Sequence, residues 1–303
     1  MRAACVTFLS VNLHTVFPPM PTPFKDGEVD TAAIRNNVRK WIAAGLGGVL
    51  ACGTNGEATL LEDDEADRVI EAARKEVPRD RVLLAGAGHE STRATIAAAK
   101  RAAAVGADAV LIKTPSVYKA HVSQAGLIAH YTAVADACPV PVLLYNFPAS
   151  TGVNLSADTV AKLAAHPNII GMKETSTDGA QFADLSAAVP DRFTVMCGSA
   201  PGVLAALSAG AKGFIVAVAT LMPALCLELL AHVRAGRMVE ALAIQHRINP
   251  LARAVTTGHG IPGLKAALNM SGFDGGEPRP PLQPLAPDAM EKIRSLLDVT
   301  LLR

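Results

Sequence analysis

The sequence repeats one module along most of its length: a short apolar run, a turn with glycine or proline, and an alanine-rich stretch with helical spacing. Strands that are apolar on both faces and alternate with helices indicate a parallel sheet covered on both sides. The runs lie near residue 16 and at 47–52, 81–86, 108–113, 141–146, 168–173, 193–198 and 213–218. Most helical stretches begin with a capping Ser, Thr or Asp, or with proline: Thr31, Asp63, Ser91, Ser123, Ser156, Asp178, Pro201 and Pro223.

About eight modules favour an α/β fold of the (β/α)8 TIM-barrel type over an open doubly wound sheet. The 303 residues, 50% of them apolar, suffice for one large barrel, although two smaller domains would also fit. Three helical stretches after Ala235, at 238–255, 261–268 and 286–297, exceed what a barrel needs. We therefore expect a catalytic barrel over 1–234 and a C-terminal helical extension over 235–303 that packs on its side.

Charge and cysteine usage exclude several classes of partner. A formal charge of +1 without basic runs argues against nucleic acid or a membrane surface, and no apolar stretch is long enough to span a bilayer. The five cysteines are scattered and never form CxxC, which fits neither a disulfide framework nor a zinc site. Asn12 and His14 interrupt the apolar N-terminal stretch, so export is not expected and a cytoplasmic location is.

The carboxyl ends of barrel strands converge on one mouth, where active sites of such barrels are built. An apolar run carries Lys173 to this edge, where an ammonium group loses hydration. Other polar or small residues close the remaining runs: Cys52, Gly53 and Thr54, Lys113, Tyr145, and Gly198 with Ser199. For Lys113, we expect the loop that follows to carry it away from the centre.

Lys173 has two interpretations. Burial disfavours the charged form of a lysine, so a free amine could attack a carbonyl and form a Schiff base. Tyr145, one strand away, could then move protons, and Thr54 could hydrogen-bond its phenol. Alternatively, Lys173 pairs with Glu174 or Glu57 and seals the barrel.

The loop "GTNGE" at 53–57 offers small residues and backbone N–H groups that suit a small carboxylate, held through Thr54 and Asn55. A simple turn without a ligand explains the same residues almost as well. Glu57 could either bond the N–H groups of the loop or face solvent at the start of the helix. Similarly, "GSAPG" at 198–202 could bind phosphate or merely cap a helix. His89 lies in a loop that could face substrate, although most lone histidines are structural.

No cofactor or metal is expected. The glycine-rich stretches at 45–49 and 86–91 do not match the dinucleotide pattern G-x-G-x-x-G, and the eight histidines form no HxH or HExxH pair.

Four motifs in order resemble the pyruvate-dependent class I aldolases of the dihydrodipicolinate synthase and N-acetylneuraminate lyase family. They are "GTNGE" at 53–57, "YNFPASTG" at 145–152, "GMKE" at 171–174 and "GAKG" at 210–213, and the similarity extends from 18–24 to 261–268. The resemblance implies a cofactor-free lyase and a homotetramer built as a dimer of dimers.

The resemblance also implies roles for individual residues. Lys173 forms the imine with pyruvate, Tyr145 handles protons and Thr54 relays to it. Thr54 and Asn55 anchor the carboxylate, while the backbone of Ile215 lines the pocket. Gly198 is expected to contribute to the same pocket.

Two departures bear on the substrate and the proton relay. Ser150 stands where lysine-biosynthetic members carry an arginine that binds the second substrate's carboxylate, and a serine cannot replace a bidentate guanidinium. Val117 occupies the position of a tyrosine contributed across a subunit interface; either the neighbouring Tyr118 substitutes or the relay differs.

Several motifs resemble the 4-hydroxy-2-oxoglutarate aldolase branch instead, with Thr175 a candidate to contact the 4-hydroxyl. We therefore expect cleavage of 4-hydroxy-2-oxoglutarate to pyruvate and glyoxylate by a Schiff-base class I aldolase. The alternatives are a dihydrodipicolinate synthase, a 2-keto-3-deoxy sugar acid aldolase or dehydratase, and a pyruvate-binding barrel without turnover.

Overall fold

The computed structural model describes residues 11–301 and contains an eight-stranded parallel sheet. A bridge between Pro19, just after the first strand, and Leu50 on the second joins the two ends of this sheet. The sheet therefore closes, which confirms the predicted (β/α)8 barrel. Its strands, numbered for the barrel alone, are β1 Val16–Phe17, β2 Gly48–Ala51, β3 Val82–Gly86, β4 Ala109–Lys113, β5 Val142–Asn146, β6 Ile169–Glu174, β7 Thr194–Cys197 and β8 Gly213–Ile215.

Helices follow the strands and begin at or near the predicted residues, although Thr31 and Asp63 are the first helical residues rather than the caps, and the helix predicted at Pro201 begins at Val203. The side chains of Asp30, Ser91, Ser123, Ser156 and Asp178 each accept hydrogen bonds from backbone N–H groups of the first helical turn. Such a cap contributes about 1 kcal/mol. Besides the one-turn helix Pro148–Thr151 after β5, these helices are α1 Thr31–Ala43, α2 Asp63–Arg74, α3 Thr92–Ala104, α4 Gln124–Ala137, α5 Ala157–Ala164, α6 Gly179–Ala188, α7 Val203–Ser208 and α8 Pro223–Arg234.

The strands divide the apolar core into two layers because successive side chains point to opposite faces. One layer fills the barrel, and the other packs between strands and helices. On β5, Leu143 and Tyr145 belong to the interior layer, whereas Val142 and Leu144 face the helices. Tyr145 thus ends a column of inward-facing side chains, which places its phenol at the mouth of the barrel.

Two local features differ from the sequence-based prediction. The last strand ends at Ile215 because Ala217–Thr220 forms a 3-10 turn, in which the Thr220 hydroxyl donates to the Ala217 carbonyl at 2.7 Å. A short antiparallel hairpin, Phe24–Lys25 with Glu28–Val29, precedes α1 and was not predicted.

The C-terminal segment forms the three expected helices: α9 Met238–Arg253, α10 Gly260–Met270 and α11 Pro287–Leu301. Gln245 on α9 accepts a hydrogen bond from Leu204 N and donates one to Ala200 O, so α9 lies against the segment after β7. A domain division at residue 234 stays a prediction.

Within residues 11–301, no helix is long and apolar enough to cross a membrane, and Cys52, Cys138, Cys197 and Cys226 are free thiols. Cys5 and most of the stretch weighed as an export signal lie outside the described residues.

Candidate active site

Lys173 and Tyr145 lie side by side at the mouth of the barrel. They are register partners on β6 and β5, and the Lys173 Nζ atom is 4.4 Å from the centroid of the Tyr145 ring. Lys173 is 5% exposed, so its side chain is almost completely shielded from solvent.

Thr54 meets Tyr145 from across the mouth. It begins the single 3-10 turn Thr54–Gly56 after β2, and its hydroxyl lies 3.3 Å from the Tyr145 hydroxyl. Phe147 stacks against the tyrosine ring with a centroid distance of 5.9 Å. The three predicted catalytic residues, Lys173, Tyr145 and Thr54, are therefore brought together.

The alternative in which Lys173 pairs with Glu174 or Glu57 is wrong. Among residues 11–301, no carboxylate oxygen lies within 4.0 Å of Lys173 Nζ. Glu174 points away from the mouth and accepts hydrogen bonds from Asn146 Nδ2 at 2.7 Å, Gln181 Nε2 at 2.8 Å and Ser176 N at 2.7 Å. The Lys173 amine is therefore not part of a structural ion pair.

Glu57 pairs instead with Lys265 on α10, at 2.5 Å between Oε1 and Nζ. The two residues are 2% and 1% exposed, and Glu57 also accepts a hydrogen bond from Arg279 N at 2.8 Å. Burial lowers the pKa of Lys265, and the hydrogen bond to Glu57 acts in the opposite direction. The open question about Glu57 is thus answered: it ties the loop at 53–57 to the C-terminal segment. Sequence reasoning missed Lys265, whose signal was a lysine within the apolar stretch at 261–268.

Gly198, directly after β7, leaves space for the lysine side chain. A Cβ atom at this position would lie 2.7 Å from Lys173 Cε and 2.5 Å from Thr175 Oγ1. The Thr175 hydroxyl is buried and has no hydrogen-bond partner among the described residues. Gly198 therefore lies next to the side chains of both Lys173 and Thr175.

A cavity of about 350 Å³ opens on the other side of Tyr145, with Thr54, Ser150, His89 and Lys113 among its lining residues. The expectation that the following loop carries Lys113 away from the centre is wrong, because Lys113 is itself a register partner of Tyr145. Lys173, Thr175 and Gly198 are not among the lining residues of this cavity.

The remaining predicted site residues lie around this centre. Ile215 is buried in the interior layer with Tyr145, and Asn55 is partly buried in the turn after β2. Val117 and Tyr118 are 67% and 72% exposed on the loop after β4, so their part in a proton relay stays a prediction.

A closed parallel barrel with a buried lysine, a tyrosine and a threonine grouped at its mouth has the layout of a barrel enzyme, whose active site lies at the carboxyl ends of the strands. The chain belongs to the dihydrodipicolinate synthetase family, whose model matches residues 12–300. This membership confirms the predicted family and the prediction of a carbon–carbon lyase.

Individual relatives agree with this assignment. The 4-hydroxy-tetrahydrodipicolinate synthase of Acidiphilium cryptum is 38% identical over 289 residues, which cover 94% of this chain and 97% of the relative. The crystal structure of a dihydrodipicolinate synthase from Bacillus anthracis matches with a TM-score of 0.91 at 29% identity, covering 95% and 98% of the two chains. A monomeric dihydrodipicolinate synthase variant matches with a TM-score of 0.91 at 30% identity, covering 95% and 97%.

Proposed function

We propose that the chain is a pyruvate-dependent lyase in which Lys173 forms an imine with a 2-oxo acid. One observation carries the proposal: the Lys173 amine lies against Tyr145 with no carboxylate within 4.0 Å among residues 11–301, and Tyr145 is in turn 3.3 Å from the Thr54 hydroxyl. A lysine amine that is not engaged in an ion pair is free to attack a carbonyl carbon as a nucleophile.

The reaction begins when the amine of Lys173 adds to the keto carbon of the 2-oxo acid. Tyr145 donates a proton to the resulting oxygen, water leaves, and the imine forms. In the cleavage of a 4-hydroxy-2-oxo acid, the 4-hydroxyl loses a proton, the bond between C3 and C4 breaks, and C4 leaves as an aldehyde while the electron pair of the broken bond passes to the imine and forms an enamine. Protonation at C3 and hydrolysis then release pyruvate and restore the lysine. The imine accepts electrons in the way a cofactor would.

The substrate contacts belong to the same proposal. Thr54 and Asn55, with the N–H groups of their turn, hold the carboxylate next to the keto carbon. Gly198 and the backbone of Ile215 line the pocket around the imine. The partnerless hydroxyl of Thr175 supplies a hydrogen bond to a substrate oxygen.

The names of the relatives support 4-hydroxy-tetrahydrodipicolinate synthesis, which condenses pyruvate with aspartate semialdehyde, better than cleavage of 4-hydroxy-2-oxoglutarate. The second reaction remains a candidate because of Ser150, which lines the cavity beside Tyr145 at the position of the family's arginine. With Ser150 at this position, the carboxylate of aspartate semialdehyde has no guanidinium partner. Glyoxylate, the aldehyde of the second reaction, is smaller.

Intact-protein mass after borohydride reduction tests the imine. We expect a pyruvate-sized adduct on the native chain, no adduct on Lys173→Ala, and full labelling of Lys100→Ala, whose lysine is exposed on α3. An unlabelled native chain would overturn the proposal. Coupled assays with aspartate semialdehyde and with 4-hydroxy-2-oxoglutarate then decide between the two reactions.

Together with this function, we propose that the protein is a homotetramer located in the cytoplasm. The exposed side chains of Val117 and Tyr118 on one loop support a subunit contact, because large apolar groups are usually covered. Light scattering tests the assembly, and a monomer, as in the solved variant, would contradict it.

A further inference from the structure

A second lysine, Lys113, lies at the barrel mouth, and the proposed reaction leaves it without a role. It is the last residue of β4 and the register partner of Tyr145, which is the register partner of Lys173. Three neighbouring strands thus carry, at the same level, a lysine, a tyrosine and a lysine.

The alternation along β4 gives the direction of this side chain. Ala109 and Leu111 belong to the interior layer of the barrel, whereas Val110 and Ile112 face the helices. Because successive residues of a strand point to opposite faces, Lys113 points to the interior side. It lines the cavity beside Tyr145 and is partly buried there.

The ammonium group of Lys113 has no ion-pair partner in the described part of the chain, where no carboxylate oxygen lies within 4.0 Å. Glu90 is near enough to feel its charge, but its oxygens accept hydrogen bonds from Ser116 N and Val117 N, both at 2.9 Å. Burial alone would raise the pKa of Glu90, yet these hydrogen bonds and the charge of Lys113 hold that pKa below its usual range. Glu90 is thus engaged by the loop, and the cation remains available to a ligand.

We propose that Lys113 binds a second carboxylate at the far end of the substrate and makes the site specific for 2-oxo dicarboxylic acids. The inference rests on the proposed imine at Lys173. The backbones of β4 and β6 are two strand spacings apart, about 10 Å. A short carbon chain attached to Lys173 therefore extends past Tyr145 toward the ammonium group of Lys113. A charge-assisted contact of this kind contributes more than a neutral hydrogen bond.

The experiment compares two five-carbon 2-oxo acids that differ only at the far end: 2-oxoglutarate, which carries a carboxylate, and 2-oxopentanoate, which carries a methyl group. The concentration that half-saturates borohydride trapping at Lys173 is measured for both acids and for pyruvate. The variants are Lys113→Met, Lys113→Arg and the exposed control Lys100→Met.

For Lys113→Met we expect trapping of 2-oxoglutarate to need about 10- to 100-fold more ligand, because a hydrogen bond to a charged group is lost. Pyruvate and 2-oxopentanoate should change by less than about twofold, since they make no contact with Lys113. Lys113→Arg keeps the charge and should retain most of the preference, and the control should match the native chain.

If 2-oxoglutarate half-saturates trapping at the same concentration in the native chain and in Lys113→Met, the role of Lys113 is overturned. It is also overturned if trapping of all three acids weakens equally in Lys113→Met, because that result would indicate an effect through Tyr145. Absence of any 2-oxoglutarate adduct on a native chain that traps pyruvate would also overturn it. Failure of the native chain to trap pyruvate would instead overturn the proposed function.

Discussion

At the scale of single residues, the position of the Lys173 amine depends on a neighbour that has no side chain. Gly198 follows β7, and its backbone N–H donates to the Glu174 carbonyl at 2.6 Å, so the chain after β7 is held against the end of β6. Any side chain on Gly198 would enter the space that the lysine occupies.

We predict that Gly198→Ala abolishes or strongly slows imine formation while the barrel still folds. The added Cβ would lie 2.7 Å from Lys173 Cε, so the lysine side chain must move away from Tyr145. A displacement of about 1 Å can cost a factor of about 100 in rate. The rate of borohydride-trapped pyruvate labelling measures the effect.

Gly179→Ala, at the start of α6, is the matched control because a Cβ atom added there would have no neighbouring atom within 4 Å. Circular dichroism confirms the fold of both variants. Labelling of Gly198→Ala at the native rate would contradict the assigned crowding.

At the scale of elements, the turn after β2 is held in place by a helix from the other end of the chain. Glu57 and Lys265 on α10 form a buried ion pair, and the Thr22 hydroxyl donates to the Gly56 carbonyl at 2.7 Å. The loop at 53–57 is therefore held by residues that lie both before and after it in the sequence.

We predict that Lys265→Met lowers the free energy of unfolding by about 3–5 kcal/mol, because Glu57 would be left as a buried, unpaired charge. Urea denaturation measures the loss. The double variant Glu57→Gln with Lys265→Met should recover part of it, since the uncompensated charge is gone. A double variant less stable than Lys265→Met would contradict this explanation.

The sequence predicts those elements whose signals are local. Each apolar run became a strand, and caps such as Ser91 and Asp178 marked helix starts because a cap bonds the turn that follows it. The strand end at Ile215 and the partner of Glu57 depend on contacts between distant segments, such as the bond from the Trp41 indole N–H to the Thr220 carbonyl at 2.9 Å. No periodicity within a window of sequence carries that information.

The site follows the same division. Strand ends place Lys173, Tyr145 and Thr54 at one mouth, and the structure brings them together. The inward direction of Lys113 was missed because the loop after β4 was given more weight than the alternation along that strand. Alternation is a property of the strand itself, so this signal was present in the sequence.

At the scale of the whole molecule, Arg279 links the C-terminal segment to α2 and to two loops of the barrel. Its guanidinium donates to both oxygens of Glu65 on α2, at 2.5 and 2.8 Å, and to the carbonyl oxygens of Leu60 and Gly27 at 3.0 and 2.6 Å. The hydrogen bond from Arg279 is the largest influence on the pKa of Glu65 and lowers it.

We predict that Arg279→Gln lowers the free energy of unfolding near neutral pH by about 1.5–3 kcal/mol. A carboxylate with a lowered pKa in the folded state stabilises above its unfolded pKa, about 4.3, and loses that contribution as the pH falls through the folded value. The difference between native chain and variant should therefore shrink below about pH 4.

Urea denaturation at neutral and at acidic pH measures this difference, and Glu65→Gln is the partner variant that removes the titrating group. A deficit of Arg279→Gln that is the same at both pH values would contradict the role of the ion pair.

The link between the loop at 53–57 and the C-terminal segment also orders events during synthesis on the ribosome. Glu57 accepts a hydrogen bond from Arg279 N, a residue 222 positions later in the chain. A nascent polypeptide therefore releases β6, with Lys173, well before the residues that secure the loop proposed to receive the carboxylate. Lys173 is therefore synthesised before the segment that holds this loop, and the mouth of the barrel is completed only after Arg279 has been added to the chain.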